Sequence, residues 1–218
     1  RAGYRYMSRF KLYRTSVGLF LEDRYSRQKP LIIDFSRIER RLKQAGRRTE
    51  LLVQAVKPRE GLSILDCTAG LGNDALILAY LGCEVTLIER SRVISYLLED
   101  AILRAQAHHL LSQTAERMEL ICDDSISVLA SRPLPDVVYL DPMFPSKKSS
   151  ALVKGSMQVL QRYLGPDLDS EKLLDAVLQS GVKKTVVKRP PRTSHWNSRM
   201  RPTQVVESRN ARFEIYFQ

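Results

Sequence analysis

A chain of 218 residues, 44% hydrophobic and 27% charged, can bury a sizeable core and reads as one soluble globular domain, or one domain with an extension. Its longest mostly apolar run, residues 75–88, includes Glu84 and is too short to span a bilayer, and the arginine- and tyrosine-rich N-terminus carries no signal-peptide pattern. The formal net charge of +11 lies wholly in residues 1–59, with 16 Lys and Arg against 5 Asp and Glu; residues 60–218 hold 19 of each.

That basic first quarter holds a short strand candidate, LIIDF (31–35), and then a basic helix that includes RRLKQAGRR (40–48) and runs to about Val56. Such a stretch suits a polyanion, nucleic acid foremost, although a solvated helix face or a basic tail would carry the same charge. It has no clear apolar moment of anchoring size, so a membrane surface is not the expected partner. KPREG (57–61) reads as a hinge, which divides the chain into a basic N-terminal extension, 1–59, and a main domain, 60–218. Because the chain begins at Arg1 and not at methionine, a preceding piece is expected.

From residue 62 onward, short apolar runs alternate with helical patterns. LSILDC (62–67), EVTLIE (84–89), MELICD (118–123), DVVYLD (136–141) and KTVVK (184–188) read as strands. Helices are predicted over 74–80, 92–107, 150–163 and 171–179. Strands rich in Val, Ile and Leu between helices imply an α/β fold, a mostly parallel sheet covered on both faces. At the end, QVVES (204–208) and RFEIYF (212–217) flank a polar turn and predict an antiparallel hairpin at the sheet edge. Five alternating strands and a hairpin are what a seven-stranded, Rossmann-like class I methyltransferase sheet would supply.

DCTAGLGND (66–74) lies directly between a predicted strand and a predicted helix. Gly70 and Gly72 let the backbone turn sharply and come close to a ligand, as nucleotide-binding loops do. The dinucleotide fingerprint is incomplete, since Ala75 stands where its last glycine would be. Glu89 ends the next strand, where an acid can accept the hydroxyls of a ribose. The ligand is then NAD-like or S-adenosylmethionine-like. Asp74 is poor company for a pyrophosphate and good company for a sulfonium and an amino group, which favours S-adenosylmethionine. Asp124 and Ser125 follow the third strand, where adenine would lie; either could instead cap a helix.

Asp141-Pro142-Met143-Phe144 ends the fourth strand, where methyl donor and acceptor must meet. A nucleobase amine is a poor nucleophile, because its lone pair is delocalised into the ring. The Asp141 carboxylate and the Pro142 carbonyl can accept its N–H groups, and Phe144 offers a flat face on which the base stacks, worth about 1–3 kcal/mol. Lys147 and Lys148 stand where phosphates would follow; Lys188 and Arg189, which end the fifth strand, could grip phosphate near the acceptor or equally be plain strand-end cations. No cysteine lies in this loop, so methylation at a pyrimidine carbon lacks its nucleophile. A ribose 2′-O mechanism is the nearest competitor, because Asp141, Lys188 and Glu214 all fall at strand ends. A target in a duplex would have to be flipped out first. The three cysteines (67, 83, 122) are widely spaced and beside apolar strands, which reads as buried thiols in a reducing, cytoplasmic compartment with no metal site. His195 and Trp196 sit in a long irregular basic loop, 189–202, and no role for them follows from spacing.

With these residues in place, the chain resembles the bacterial small-subunit ribosomal RNA methyltransferase J family. The likeness is carried by DCTAGLGNDA, LIER (87–90), VVYLDPMFPSKKSSALVK (137–154), LGPDLD (164–169), VVKRP (186–190) and RFEIY (212–216). It implies transfer of a methyl group from S-adenosylmethionine to the N2 amine of a guanosine in 16S rRNA, free or in the small ribosomal subunit. It also implies cofactor contacts at Asn73, Asp74, Glu89, Arg90, Asp124, Ser125 and Asp141. The family usually carries Arg where Asn73 stands, and a small residue before Ser where Asp124-Ser125 stand.

Overall fold

The computed structural model describes residues 8–38, 42, 50–142, 155–165, 169–191, 200–209 and 211–218. Its centre is a seven-stranded sheet in the order β5-β4-β3-β6-β7-β9-β8. Here β3 is Ser63–Asp66, β4 Glu84–Ile88, β5 Met118–Ile121, β6 Val137–Leu140, β7 Lys184–Arg189, β8 Gln204–Glu207 and β9 Arg212–Phe217. The first five neighbours in that order run parallel, and β7–β9 and β8–β9 pair antiparallel. Each predicted strand from residue 62 onward is therefore present, as is the terminal hairpin.

Helices Asn73–Tyr80 and Arg92–Gln106 cover one face of the sheet, and Ser125–Ser131 and Ser170–Gln179 cover the other. β6 shows why a strand buried on both sides reads as an unbroken apolar run. Val137 and Tyr139 point into the core on one face, Val138 and Leu140 into the core on the other. The short helix at Ser112–Glu116 was not expected from the sequence, and that at Ser125–Ser131 is the one that Asp124 or Ser125 was offered as capping. Of the helix predicted at 150–163, the described part is Gly155–Leu164.

Before this domain comes a hairpin that the sequence reading missed, β1 (Phe10–Thr15) against β2 (Gly18–Asp23). Asp100 on the Arg92–Gln106 helix anchors it, accepting from the Leu19 backbone N–H at 3.1 Å, Arg14 at 2.7 Å and Arg104 at 2.9 Å. The strand expected at 31–35 is corrected. Only Leu31 pairs, with Leu21, and Phe35 opens a 3-10 turn, Phe35–Ile38. The Asp34 side chain accepts from the Ser36 backbone N–H at 3.2 Å and from Arg37, which turns the chain before a strand can extend. Leu21, Leu31, Ile33, Phe35 and Leu52 are buried in the same apolar cluster as Leu76, Leu78 and Leu98. Among the described residues no helix is long and apolar enough to cross a membrane.

Candidate active site

Strand order reverses between β3 and β6: the chain leaves β3 towards β4 and β5 on one side, and returns to β6 and β7 on the other. The crevice outside the carboxyl ends of such strands is where open α/β sheets bind ligands. A cleft of about 590 Å³ opens there, large enough for a nucleoside-sized molecule.

The turn after β3 forms its floor. Gly70 and Gly72 hold φ of 53° and 69°, the left-handed region that glycine adopts without strain. The two differ in what surrounds them. A Cβ on Gly72 would press to 2.9 Å from Leu98 and 3.1 Å from Phe35, so this glycine allows close packing of turn and core. A Cβ on Gly70 would meet nothing nearer than the Thr68 carbonyl at 3.7 Å, and the space above it opens into the cleft.

Glu89, buried at the end of β4, ties the floor to the next helix. One carboxylate oxygen accepts from the Gly70 N–H at 3.3 Å and the other from the Ser91 N–H at 2.8 Å. Arg90 reaches across the mouth of the cleft to Asp169, 2.6 Å away, a partner the sequence reading did not name. Asp124 caps the Ser125–Ser131 helix through the Ile126 and Ser127 N–H groups, and Ser125 donates to the Cys67 carbonyl at 2.7 Å. Both still line the cleft, so the capping role and the cleft position coincide.

Beyond the glycines lies a knot of acids. Asp66 ends β3, Asp74 sits in the first turn of the Asn73–Tyr80 helix, and Asp141 follows β6. Lys188, on β7, bridges two of them: its ammonium lies 2.7 Å from Asp74 Oδ2 and 2.7 Å from Asp141 Oδ2. Tyr139 donates its phenol to Asp74 Oδ2 at 2.7 Å. Thr68 couples the remaining members, accepting from the Asp141 N–H at 2.6 Å while its own N–H donates to Asp66 at 3.0 Å. Burial, with the charges of Asp74 and Asp141 added, pushes the Asp66 carboxyl up to about 7 against the Thr68 hydrogen bonds. Burial alone would lower the Lys188 pKa, but Asp74 and Asp141 together carry it above the ordinary lysine value. Asp66, Thr68 and Tyr139 escaped the sequence reading because a strand-end acid, a turn threonine and a buried tyrosine all look structural in one dimension.

Every described residue expected at the site lines this cleft, Asn73, Pro142 and Arg189 included. Phe144, Lys147, Lys148, His195 and Trp196 lie outside the described residues. Arg189 is buried 3.5 Å from Glu214, and Glu214 also accepts from Arg212 at 3.1 Å and Tyr216 at 3.0 Å. Glu214 is thus held within the sheet by its own partners, while Lys188 pairs with the two aspartates of the cleft. Met157, Leu160 and Leu164 of the Gly155–Leu164 helix add an apolar wall that the sequence had suggested only as cover for the sheet. Cys67 and Cys83 are buried as expected, but Cys122 is exposed, because the chain emerges from β5 at that point. No group of three or more His, Cys, Asp or Glu among the described residues is placed to hold a metal ion.

A sheet of this order, opened at its switch point by a glycine turn and ringed by acids, is the framework of a class I S-adenosylmethionine-dependent methyltransferase. Residues 4–218 match the family described as "Putative SAM-dependent methyltransferase". A solved SAM-dependent methyltransferase from Neisseria gonorrhoeae superimposes with a TM-score of 0.69 at 30% identity, covering 92% of this chain and 79% of that one. Among curated relatives, the ribosomal RNA small subunit methyltransferase J of Aeromonas salmonicida is 44% identical over 183 residues, 82% of this chain and 73% of its own length. That of Hydrogenovibrio crunogenus is 42% identical over 193 residues, 86% and 70%. The chain belongs to the small-subunit ribosomal RNA methyltransferase J family.

Proposed function

We propose that this protein methylates the exocyclic N2 amine of a guanosine in 16S rRNA, working in the cytoplasm on the RNA itself or on the small ribosomal subunit. The observation that carries the reading is Asp141-Pro142 at the end of β6, with the Asp141 carboxylate facing the cleft beside the glycine turn. The cleft suits S-adenosylmethionine on three counts. The space above Gly70 is open, the buried Glu89 carboxylate flanks it, and the acids around Asp74 suit a cationic donor better than a phosphate. When bound, that cofactor supplies an electrophilic methyl group.

The chain's own residues do the rest. Glu89 would take the ribose hydroxyls, Asp74 the amino group, and Asp124 with Ser125 the adenine edge. Asp141 and the Pro142 carbonyl accept the N–H groups of the acceptor amine and so aim its lone pair, and positioning of this kind supplies much of the rate. Phe144 stacks the base, and Lys147 and Lys148 take the phosphates that follow. The first 59 residues act as the RNA-holding part beside the methyltransferase domain of residues 60–218. On the hairpin, Tyr13 and Phe20 stack at 5.6 Å with Lys11 over the Tyr13 ring, and Lys11 there and Arg24, Arg27 and Lys29 in the segment after it are exposed. Aromatic rings beside exposed cations favour single-stranded RNA.

Incubation with small-subunit particles lacking the mark, followed by digestion and mass analysis, is expected to yield N2-methylguanosine, and Asp141→Ala to form it about 1,000-fold more slowly. Methyl found on adenine N6 or ribose 2′-O, or RNA bound with no transfer at all, would sink this reading.

A further inference from the structure

We infer that Lys188 is a positioning residue for the methyl-accepting amine: its ammonium, held between Asp74 and Asp141, fixes where the Asp141 carboxylate points. The inference rests on the amine-methylation reading above and gives Lys188 a role other than gripping phosphate.

The geometry supports it from both ends of Asp141. The backbone is fixed by the 2.6 Å hydrogen bond from its N–H to Thr68 Oγ1, and the carboxylate by the 2.7 Å contact with Lys188. Two equal charge-assisted bonds from one ammonium link the acid at the cofactor side, Asp74, to the acid at the acceptor side.

Charge gives the second support. Among the described residues, Asp74 from the helix start and Asp141 after β6 face Lys188, Tyr139 bonds the same Asp74 oxygen, and Asp66 from β3 feels both aspartates; the sequence neighbour Arg189 pairs with Glu214. Three carboxyl groups packed together repel, and Asp66 is driven up to about 7 by burial first and by the charges of Asp74 and Asp141 after it. Removing the Lys188 ammonium would raise Asp74 and Asp141 in the same direction. A phosphate drawn to Lys188 would have to approach Asp141 and Asp74 as well, so the ammonium is a poor phosphate anchor.

The test is the pH dependence of kcat for the full chain at saturating RNA and cofactor, in Lys188→Met and Lys188→Arg. Asp141 must be ionised to accept the amine, so activity falls as pH drops through its pKa. Lys188→Met should move this acid limb up by about one pH unit. It should also lower kcat at neutral pH about 100-fold, with KM for RNA within about threefold of wild type. Lys188→Arg retains the cation and should return the limb to its wild-type position. A limb unmoved in Lys188→Met, or kcat kept while KM for RNA rises and its salt dependence weakens, would overturn the inference. Should the methionine variant fail to fold, Lys188→Gln removes the same charge and is held to the same outcomes. Wild-type protein that transfers no methyl to a guanine amine would instead bring down the reading on which the inference rests.

Discussion

Ion pairs of similar length stand in two very different settings in this molecule. Around the N-terminal hairpin, Arg9 meets Asp23 at 2.9 Å and Arg14 meets Asp100 at 2.7 Å, with arginine side chains 48% and 66% exposed. In the cleft, Lys188 meets Asp74 and Asp141 at 2.7 Å with its side chain 29% exposed, between a buried Asp74 and a half-buried Asp141. Asp23 and Asp100 are buried and fix the hairpin, while exposed cations such as Lys11, Arg24 and Lys29 are screened, so what matters there for a polyanion is how many cations there are. In the cleft each charge sets the protonation of the next, so what matters is which residue stands at which atom. The neutral balance of residues 60–218 conceals this, because a count cannot show that Asp66, Asp74, Glu89 and Asp141 converge on one cavity.

The contrast is open to experiment, and the largest effect should come from the cleft. Asp141→Ala is expected to lower kcat about 1,000-fold while the thermal melt is retained; a loss of less than tenfold would show that the acid's identity there matters little.

Asp66 gives the next effect. Its folded pKa of about 7 lies above the value of 3.8 for an ordinary aspartate. The folded chain therefore keeps a proton that the unfolded chain gives up, and stability falls as pH rises from about 4 to 7. Asp66→Asn should thus be stabilising at pH 8, on the order of 2–4 kcal/mol, and nearly neutral at pH 4. Urea unfolding at the two pH values checks this, and equal differences at both would mean that Asp66 is not the strained acid of the knot.

Glu89→Ala comes third. It removes the acceptor that spans Gly70 and Ser91, and should weaken S-adenosylmethionine about 30-fold by calorimetry with RNA affinity unchanged. Equal loss of both ligands would erase the division between the two regions.

The smallest effect belongs to the hairpin. Replacing Lys11, Arg24 and Lys29 together by Ala should weaken RNA binding about tenfold and lower the salt-dependence slope by about 2, with cofactor affinity untouched. A single one of the three that abolished binding would mean the surface reads individual groups and not summed charge.

Much of the fold was legible because β6 and its neighbours are buried on both faces, and a run such as Val137–Leu140 has few other uses. Gly70, Glu89 and Asp141 were legible for a related reason: in a sheet of this topology strand ends converge, so their position in the chain already implies proximity. The hairpin was not legible. Its turn lacks an Asn-Gly or Asp-Gly pair, and β1 leaves four of its six residues exposed, so FKLYRT offers no apolar stripe to read. LIIDF misled in the opposite way. Leu31, Ile33 and Phe35 are buried, but Asp34 spends its side chain on turning the backbone.

The order of strands and helices from residue 62 onward, the glycine turn and the acids at the strand ends were all determined by the sequence, since burial and backbone freedom leave a one-dimensional trace. Which acid shares a proton with which cation was decided only by the tertiary structure. Lys188 lies 114 residues from Asp74 and 47 from Asp141 along the chain. Electrostatic coupling depends on distance through space and on the water excluded between the groups, and neither is written in sequence order.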